Sequence, residues 1–186
     1  MKIDYQDSAL FKSTTIIAVK KKRELALAGD GQVTLGTQIM KNKATKIRRL
    51  YKNSILSGFA GAAADALTIY ERMEKKLEEY EGDLLRASVE LTKEWRSDKY
   101  LRKLEAMLLL GNKDYLLILS GTGEVIECDS GVAAIGSGGG FAKSAALALV
   151  SHSSLSAEKT AKTALTIAAE ICIYTNSHIS CETLKY

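Results

Sequence analysis

Thr14 and Thr15 open an apolar run, Ile16-Ile17-Ala18-Val19, and are the residues here whose type and position best suit chemistry. A threonine hydroxyl is a weak nucleophile until a base takes its proton. The two histidines, His152 and His178, lie far along the chain. A threonine that is itself the first residue carries its own base, because an α-amine titrates at about 7.7–8.0, close to working pH. Residues 1–13 would then be a propeptide, cut away to leave Thr14 first. The alternative is that both threonines simply start a β-strand, where β-branched residues are favoured. In that strand Thr15 points to the face opposite Thr14.

Other segments hold chemically capable groups. Asp30 sits between Gly29 and Gly31, a setting that also suits a plain turn aspartate. Lys46 belongs to a basic group with Lys41, Lys43, Arg48 and Arg49. Ser137 lies in Gly136-Ser137-Gly138-Gly139-Gly140. Such a loop ahead of a helix can cradle an anion, but its spacing matches neither nucleotide-binding glycine motif. The cysteines, Cys128, Cys172 and Cys181, are odd in number with no C-x-x-C pair, so neither a disulfide framework nor a zinc site is expected. The net charge of +4 has a second local source in Lys20-Lys21-Lys22-Arg23. With no interleaved aromatic residues this run reads as a solvated hairpin turn rather than a nucleic-acid surface.

The elements that must position these groups follow from patterning. The 186 residues, 46% hydrophobic and 26% charged, suit one domain with a substantial core. No apolar stretch approaches the ~20 residues of a membrane-spanning helix. Residues 1–13 hold two aspartates and no sustained apolar block, unlike a secretory or organellar leader, so a cytoplasmic protein is expected. Residues 14–20 and 24–29 read as a hairpin, 29–36 as a looped stretch and Ile55 to Ala60 as a strand. From Ala62 the period lengthens: Leu67, Tyr70, Met73, Leu77 and Tyr80 mark an amphipathic helix that Gly82 stops. A second helix runs from Asp83 towards Trp95. Strands follow at 105–111, 115–120 and 133–136, then helices at 139–151 and 156–174, the last starting at Ser156. This order suggests a sheet core covered by helices, an α+β fold.

The segments TTIIAV (14–19), LAGDGQVTLG (27–36), KNKATKIRRLY (41–51), GFAGAAADA (58–66), LRKLEAML (101–108), AIGSGGG (134–140) and EICIYTN (170–176) occur in an order and spacing that resemble the HslV family. These are proteolytic subunits of bacterial ATP-dependent proteases, related to proteasome β subunits, and the resemblance runs from Thr14 to near Tyr186. It implies a four-layer αββα sandwich of the N-terminal nucleophile hydrolase type and a threonine-type endopeptidase.

The resemblance also implies roles. Thr14 is the nucleophile, freed by self-cleavage after Ser13. Lys46 lies beside it, Asp30 holds Lys46, Ser137 relays a proton or bonds the amine, and the Gly61 N–H holds the oxyanion. Where family members commonly have Gly-Thr after Gly61, this chain has Ala62-Ala63. The backbone carbonyls of Ala169, Cys172 and Thr175 match a monovalent-cation site, expected to take sodium; Ala169 replaces the usual glycine. Val33 and Ala44 match pocket positions, suggesting hydrophobic residues before the cut. No cofactor is implied for catalysis. The expected assembly is two stacked six-membered rings, with a hexameric HslU-type ATPase that uses ATP to feed in unfolded proteins. Two other readings share these residues: an amidohydrolase acting on small amides without an ATPase, and a non-catalytic ring subunit whose prosegment stays in place.

Overall fold

The computed structural model describes residues 14–61, 63–99, 101 and 106–186. The expected propeptide, residues 1–13, lies outside the described residues. In chain order the elements are β1 (Thr15–Lys21), β2 (Glu24–Asp30), β3 (Val33–Leu35), β4 (Gln38–Lys41), β5 (Ile47–Leu50), β6 (Ile55–Ala60), α1 (Ala63–Glu79) and α2 (Leu84–Ser97). They continue with β7 (Met107–Gly111), β8 (Leu116–Ser120), β9 (Val125–Glu127), β10 (Val132–Gly136), α3 (Gly139–His152), α4 (Ala157–Ile171) and β11 (Ile179–Lys185).

Two antiparallel sheets stack face to face. One has the order β10-β1-β2-β11, the other β5-β6-β7-β8-β9, and β3-β4 forms a separate hairpin. Alternation along β1 and β2 assigns each side chain to a layer. Ile16, Ala18, Leu25 and Leu27 face the second sheet and meet Ile47, Leu56, Leu109 and Leu116. Ile17, Val19, Ala26 and Ala28 turn the other way, onto the alanine-rich faces of α3 and α4. On the far side, Ile55, Phe59, Leu108, Leu110, Leu117 and Leu119 pack under α1 and α2, around Met73, Leu77, Leu91 and Trp95. The strands are therefore covered on both faces, which is why they read as continuous apolar runs rather than as alternation. The result is the expected αββα sandwich.

Gly58 in β6 sets the spacing between the sheets near β1. A Cβ there would stand 2.8 Å from Ile16 Cγ2, so the missing side chain lets the two sheets approach. Glu24, at the end of the first hairpin, accepts the Ala157 N–H at 3.0 Å and so pins the start of α4. Ser156 caps the same helix, accepting from Lys159 N at 3.2 Å as its sequence position predicts.

Several elements depart from expectation. The looped stretch contains β3, which pairs with a β4 exposed along its whole length. In α1, Leu67 is 51% exposed and Ile69 takes its place on the buried face. Helix α4 ends at Ile171 rather than at 174, capped by the Cys172 N–H bonding back to the Ala168 carbonyl. The strand β11, which pairs with β2 over its full length, closes the chain where only helices were expected.

Candidate active site

The site lies where β1 begins and β2 ends. β1 pairs with both β2 and β10, so Thr14 enters between the Asp30 end of one strand and the Gly136–Gly138 turn after the other. The Thr14 carbonyl accepts the Ser137 N–H at 2.9 Å. Gly136 has φ +87°, and a Cβ there would overlap the Thr14 carbonyl oxygen. Only glycine lets the chain turn this close to Thr14.

Asp30 is fully buried and its carboxylate is surrounded by donors. Oδ1 accepts from Thr15 N at 2.8 Å and from Lys46 Nζ at 2.8 Å. Oδ2 accepts from Gln32 N at 2.9 Å and from Asn176 N at 3.3 Å. A buried carboxylate is tolerable when it is paired and its lone pairs are filled in this way. The Lys46 side chain is 7% exposed. Its burial pulls the ammonium pKa below the ordinary lysine value, while the attraction and hydrogen bond of Asp30 work in the opposite direction. Because one carboxylate oxygen holds both the Lys46 ammonium and the Thr15 N–H, the charge is fixed beside the Thr14–Thr15 peptide.

On the other face of β1, the buried Thr15 hydroxyl lies 2.7 Å from the Thr175 hydroxyl and accepts the Gly138 N–H at 2.9 Å. A Cβ on Gly138 would meet both hydroxyls, at 2.5 Å from Thr175 and 2.6 Å from Thr15. Thr15 thus has a constructive role that the strand reading alone did not supply. The structure brings Thr14, Asp30, Lys46 and Ser137 together in one hydrogen-bonded neighbourhood, with the exposed Ser137 attached through its backbone N–H.

Gly61 stands just past the end of β6, two residues beyond Phe59, whose N–H reaches the Lys46 carbonyl at 3.4 Å. Its φ is +152°, and a Cβ would come within 2.9 Å of both the Phe59 ring and Ala106. Ala169, Cys172 and Thr175 span the last turn of α4 and the loop after it, where Thr175 N donates to the Cys172 carbonyl at 3.0 Å. Gln32 and Asn176 were not singled out from sequence. Gln32 Nε2 donates to the Ile173 carbonyl at 2.9 Å, and Asn176 binds Asp30 through its backbone N–H. The sequence signal for either was its place inside a quoted segment, LAGDGQVTLG for Gln32 and EICIYTN for Asn176.

Comparisons with known proteins give the family. A model of the proteasome-subunit family matches residues 10–184. The "ATP-dependent protease subunit HslV" of Desulfovibrio desulfuricans is 61% identical over 173 residues, covering 92% of this chain and 98% of that protein. The crystal structure of eukaryotic HslV from Trypanosoma brucei superposes with a TM-score of 0.88 at 44% identity, covering 92% of this chain and 99% of that one. A Thiobacillus denitrificans protein, BPH, solved with epoxomicin, shares the fold with a TM-score of 0.71 at 22% identity, covering 92% of this chain and 98% of that one. The chain belongs to the proteasome-subunit family of threonine proteases, in its HslV branch, the proteolytic subunits of ATP-dependent proteases.

Proposed function

We propose that Thr14 is the nucleophile of this peptidase and that it is exposed by self-cleavage between Ser13 and Thr14. In the precursor the Thr14 nitrogen is an amide and cannot act as a base. Attack of the Thr14 hydroxyl on the Ser13 carbonyl, followed by hydrolysis of the ester, releases the α-amine. That amine then takes the hydroxyl proton as the oxygen attacks a substrate carbonyl and returns a proton to the leaving amine. Water deacylates the enzyme by the same route.

The observation that carries this reading is the buried Lys46–Asp30 pair, tied by one oxygen to the Thr15 N–H. An ammonium held there disfavours protonation of the α-amine and favours a developing alkoxide. Ser137 supports the amine from the adjacent turn. The Gly61 N–H is assigned to the oxyanion; a donor of this kind is worth about 10²–10³ in rate. Val33 and Ala44 are both half-buried, and the Ala44 N–H bonds the Gly31 carbonyl, next to Asp30, at 2.9 Å. Small apolar walls there favour a hydrophobic residue before the cut.

The loop after α4 also fits a monovalent cation such as sodium. Carbonyls at a helix C-terminus lack intrahelical partners, and Ala169, Cys172 and Thr175 lie in the last turn of α4 and the loop after it, where the Thr175 N–H uses one lone pair of the Cys172 carbonyl. Neutral oxygens suit a hard ion, which would brace the loop rather than enter the reaction.

The HslV relatives are named as subunits of ATP-dependent proteases. We extend that to this chain: two stacked six-membered rings enclose the Thr14 sites, and an HslU-type hexameric ATPase spends the ATP and threads in unfolded protein. No described helix is long and apolar enough to cross a membrane.

Intact mass of the purified protein tests the core of this reading, with Thr14→Ala beside it. Loss of residues 1–13 from the wild type alone is expected, together with ATPase-stimulated hydrolysis of a peptide amide. Processing of Thr14→Ala at the same bond, in the absence of another protease, would overturn self-activation.

A further inference from the structure

Asn176 joins three segments that carry the proposed site, and it does so mostly with its side chain. Its Oδ1 accepts the Gly31 N–H at 3.1 Å and the His178 N–H at 3.1 Å. Its Nδ2 donates to the Asn42 carbonyl at 3.0 Å. Its own backbone N–H donates to Asp30 Oδ2 at 3.3 Å. One residue therefore touches the acid at the end of β2, the glycine after it and the 42–46 segment that leads to Lys46. The preceding residue, Thr175, meets Thr15 through its hydroxyl, so the same short loop reaches β1 through one residue and the end of β2 through the next.

The segment from Asn42 to Lys46 has no regular secondary structure of its own. At its far end the Lys46 carbonyl accepts the Phe59 N–H at 3.4 Å, and the anchor points along the rest of the segment help decide where the ammonium sits. The Ala44 N–H to the Gly31 carbonyl is one such anchor, and the Asn176 amide on the Asn42 carbonyl is another. Gly31 could not supply the link with a side chain, since a Cβ there would strike the Asn42 carbonyl oxygen.

We infer that Asn176 is a positioning residue: its amide locks the 42–46 segment to the Asp30 turn and so holds the Lys46 ammonium at the distance that keeps the Thr14 α-amine unprotonated. This rests on Thr14 being the nucleophile. When the lock is removed, Lys46 drifts, its field at the α-amine weakens and the amine's pKa rises. Activity is lost on the acid side first, because the base is then protonated at a pH where it was free before.

The test uses the mature full chain with an HslU-type ATPase and ATP, and follows hydrolysis of a short fluorogenic peptide amide across pH. Asn176→Ala removes both arms of the amide. Asn176→Ser keeps a short acceptor for the His178 N–H, in the manner of a serine turn, but cannot reach Asn42. Both variants are expected to lose up to about 10²-fold in kcat with little change in KM, the scale of an ångström-level misplacement. The acid limb of their kcat/KM profile is expected at higher pH than in the wild type. Thermal melting keeps the reading decisive: in an Asn176→Ser protein that melts with the wild type, an unmoved acid limb would overturn the inference. A wild-type protein with no hydrolysis at all would instead sink the nucleophile assignment beneath it.

Discussion

The two ends of the first hairpin handle charge in opposite ways. At the turn, Lys22 and Arg23 are exposed to water, while Lys20 donates to the Asp114 carbonyl at 2.7 Å and Lys21 to the carbonyls of Ser153 and Leu155 at 3.1 and 3.2 Å. Solvent and surface carbonyls satisfy those lysines, and no carboxylate needs to be buried for them. At the other end Asp30 is fully buried and is satisfied wholly by protein donors, one of them the ammonium of Lys46. The same kind of side chain is a solubilising group at one end and a fixed electrostatic element at the other. What differs is the number of positioned partners, which in turn sets what each substitution costs.

The largest effect is expected at the buried end. Lys46→Met leaves the Asp30 carboxylate buried without its cation, and breaking such a pair costs about 3–5 kcal/mol. Chemical denaturation should show that loss. Combining it with Asp30→Asn should restore a large part of the stability, since no charge is then left unpaired, yet hydrolysis should stay absent. A double variant that regains activity would show that the pair is structural only.

Next is the turn behind Thr14. Gly138→Ala pushes a methyl against the Thr15 and Thr175 hydroxyls, an overpacking that costs about 1–3 kcal/mol. Because the turn also holds the Thr14 carbonyl through Ser137, kcat should fall with stability. Gly140→Ala, in the first turn of α3 where a Cβ meets nothing within 4 Å, is the matched control: it should leave kcat unchanged and stabilise by no more than about 1 kcal/mol.

The pH profile sharpens the contrast further. Lys46 helps only while charged, and its burial lowers its pKa from the ordinary 10.5. Raising pH through that lowered value removes the charge, so the alkaline limb should fall below 10.5, with a loss of about tenfold per pH unit beyond it, or 1.4 kcal/mol. Lys46→Arg, which stays protonated, should work more slowly but without that limb. A limb unchanged by Lys46→Arg would detach it from Lys46.

Sequence carried much of this architecture, for reasons visible in particular elements. The first hairpin and β6 to β8 are apolar runs covered on both faces, so their patterns survive without knowledge of the fold. β11 did not show because Ile179, Ser180, Cys181, Glu182 and Thr183 form a half-covered edge strand whose hydrogen bonding depends on β2 alone. Leu67 and Ile69 were exchanged because both fit a loose three-to-four spacing, and only the position of the sheet beneath α1 selects between them. At the site, Thr14, Asp30 and Lys46 carry reactive groups in recognisable segments. Burial of one lysine among five basic residues has no local signature, however. Nor does the bridging by Asn176, whose partners are mostly backbone atoms distant in sequence.

The smallest effect is expected at the exposed turn, and its size follows from distance. β1 spans seven residues, and at about 3.3 Å per residue Lys22 lies roughly 25 Å from Thr14. That exceeds the screening length of about 8 Å at physiological salt, so a surface charge there is not felt at Thr14. Lys22 also has φ +58°, and glutamate would bear the same backbone strain as lysine. Lys22→Glu should therefore shift stability by no more than about 0.5 kcal/mol and leave kcat/KM for a neutral peptide unchanged. A change of tenfold or more in kcat/KM would mean that charge at the far end of β1 reaches the site through the strand itself, and the separation of the two ends would fail.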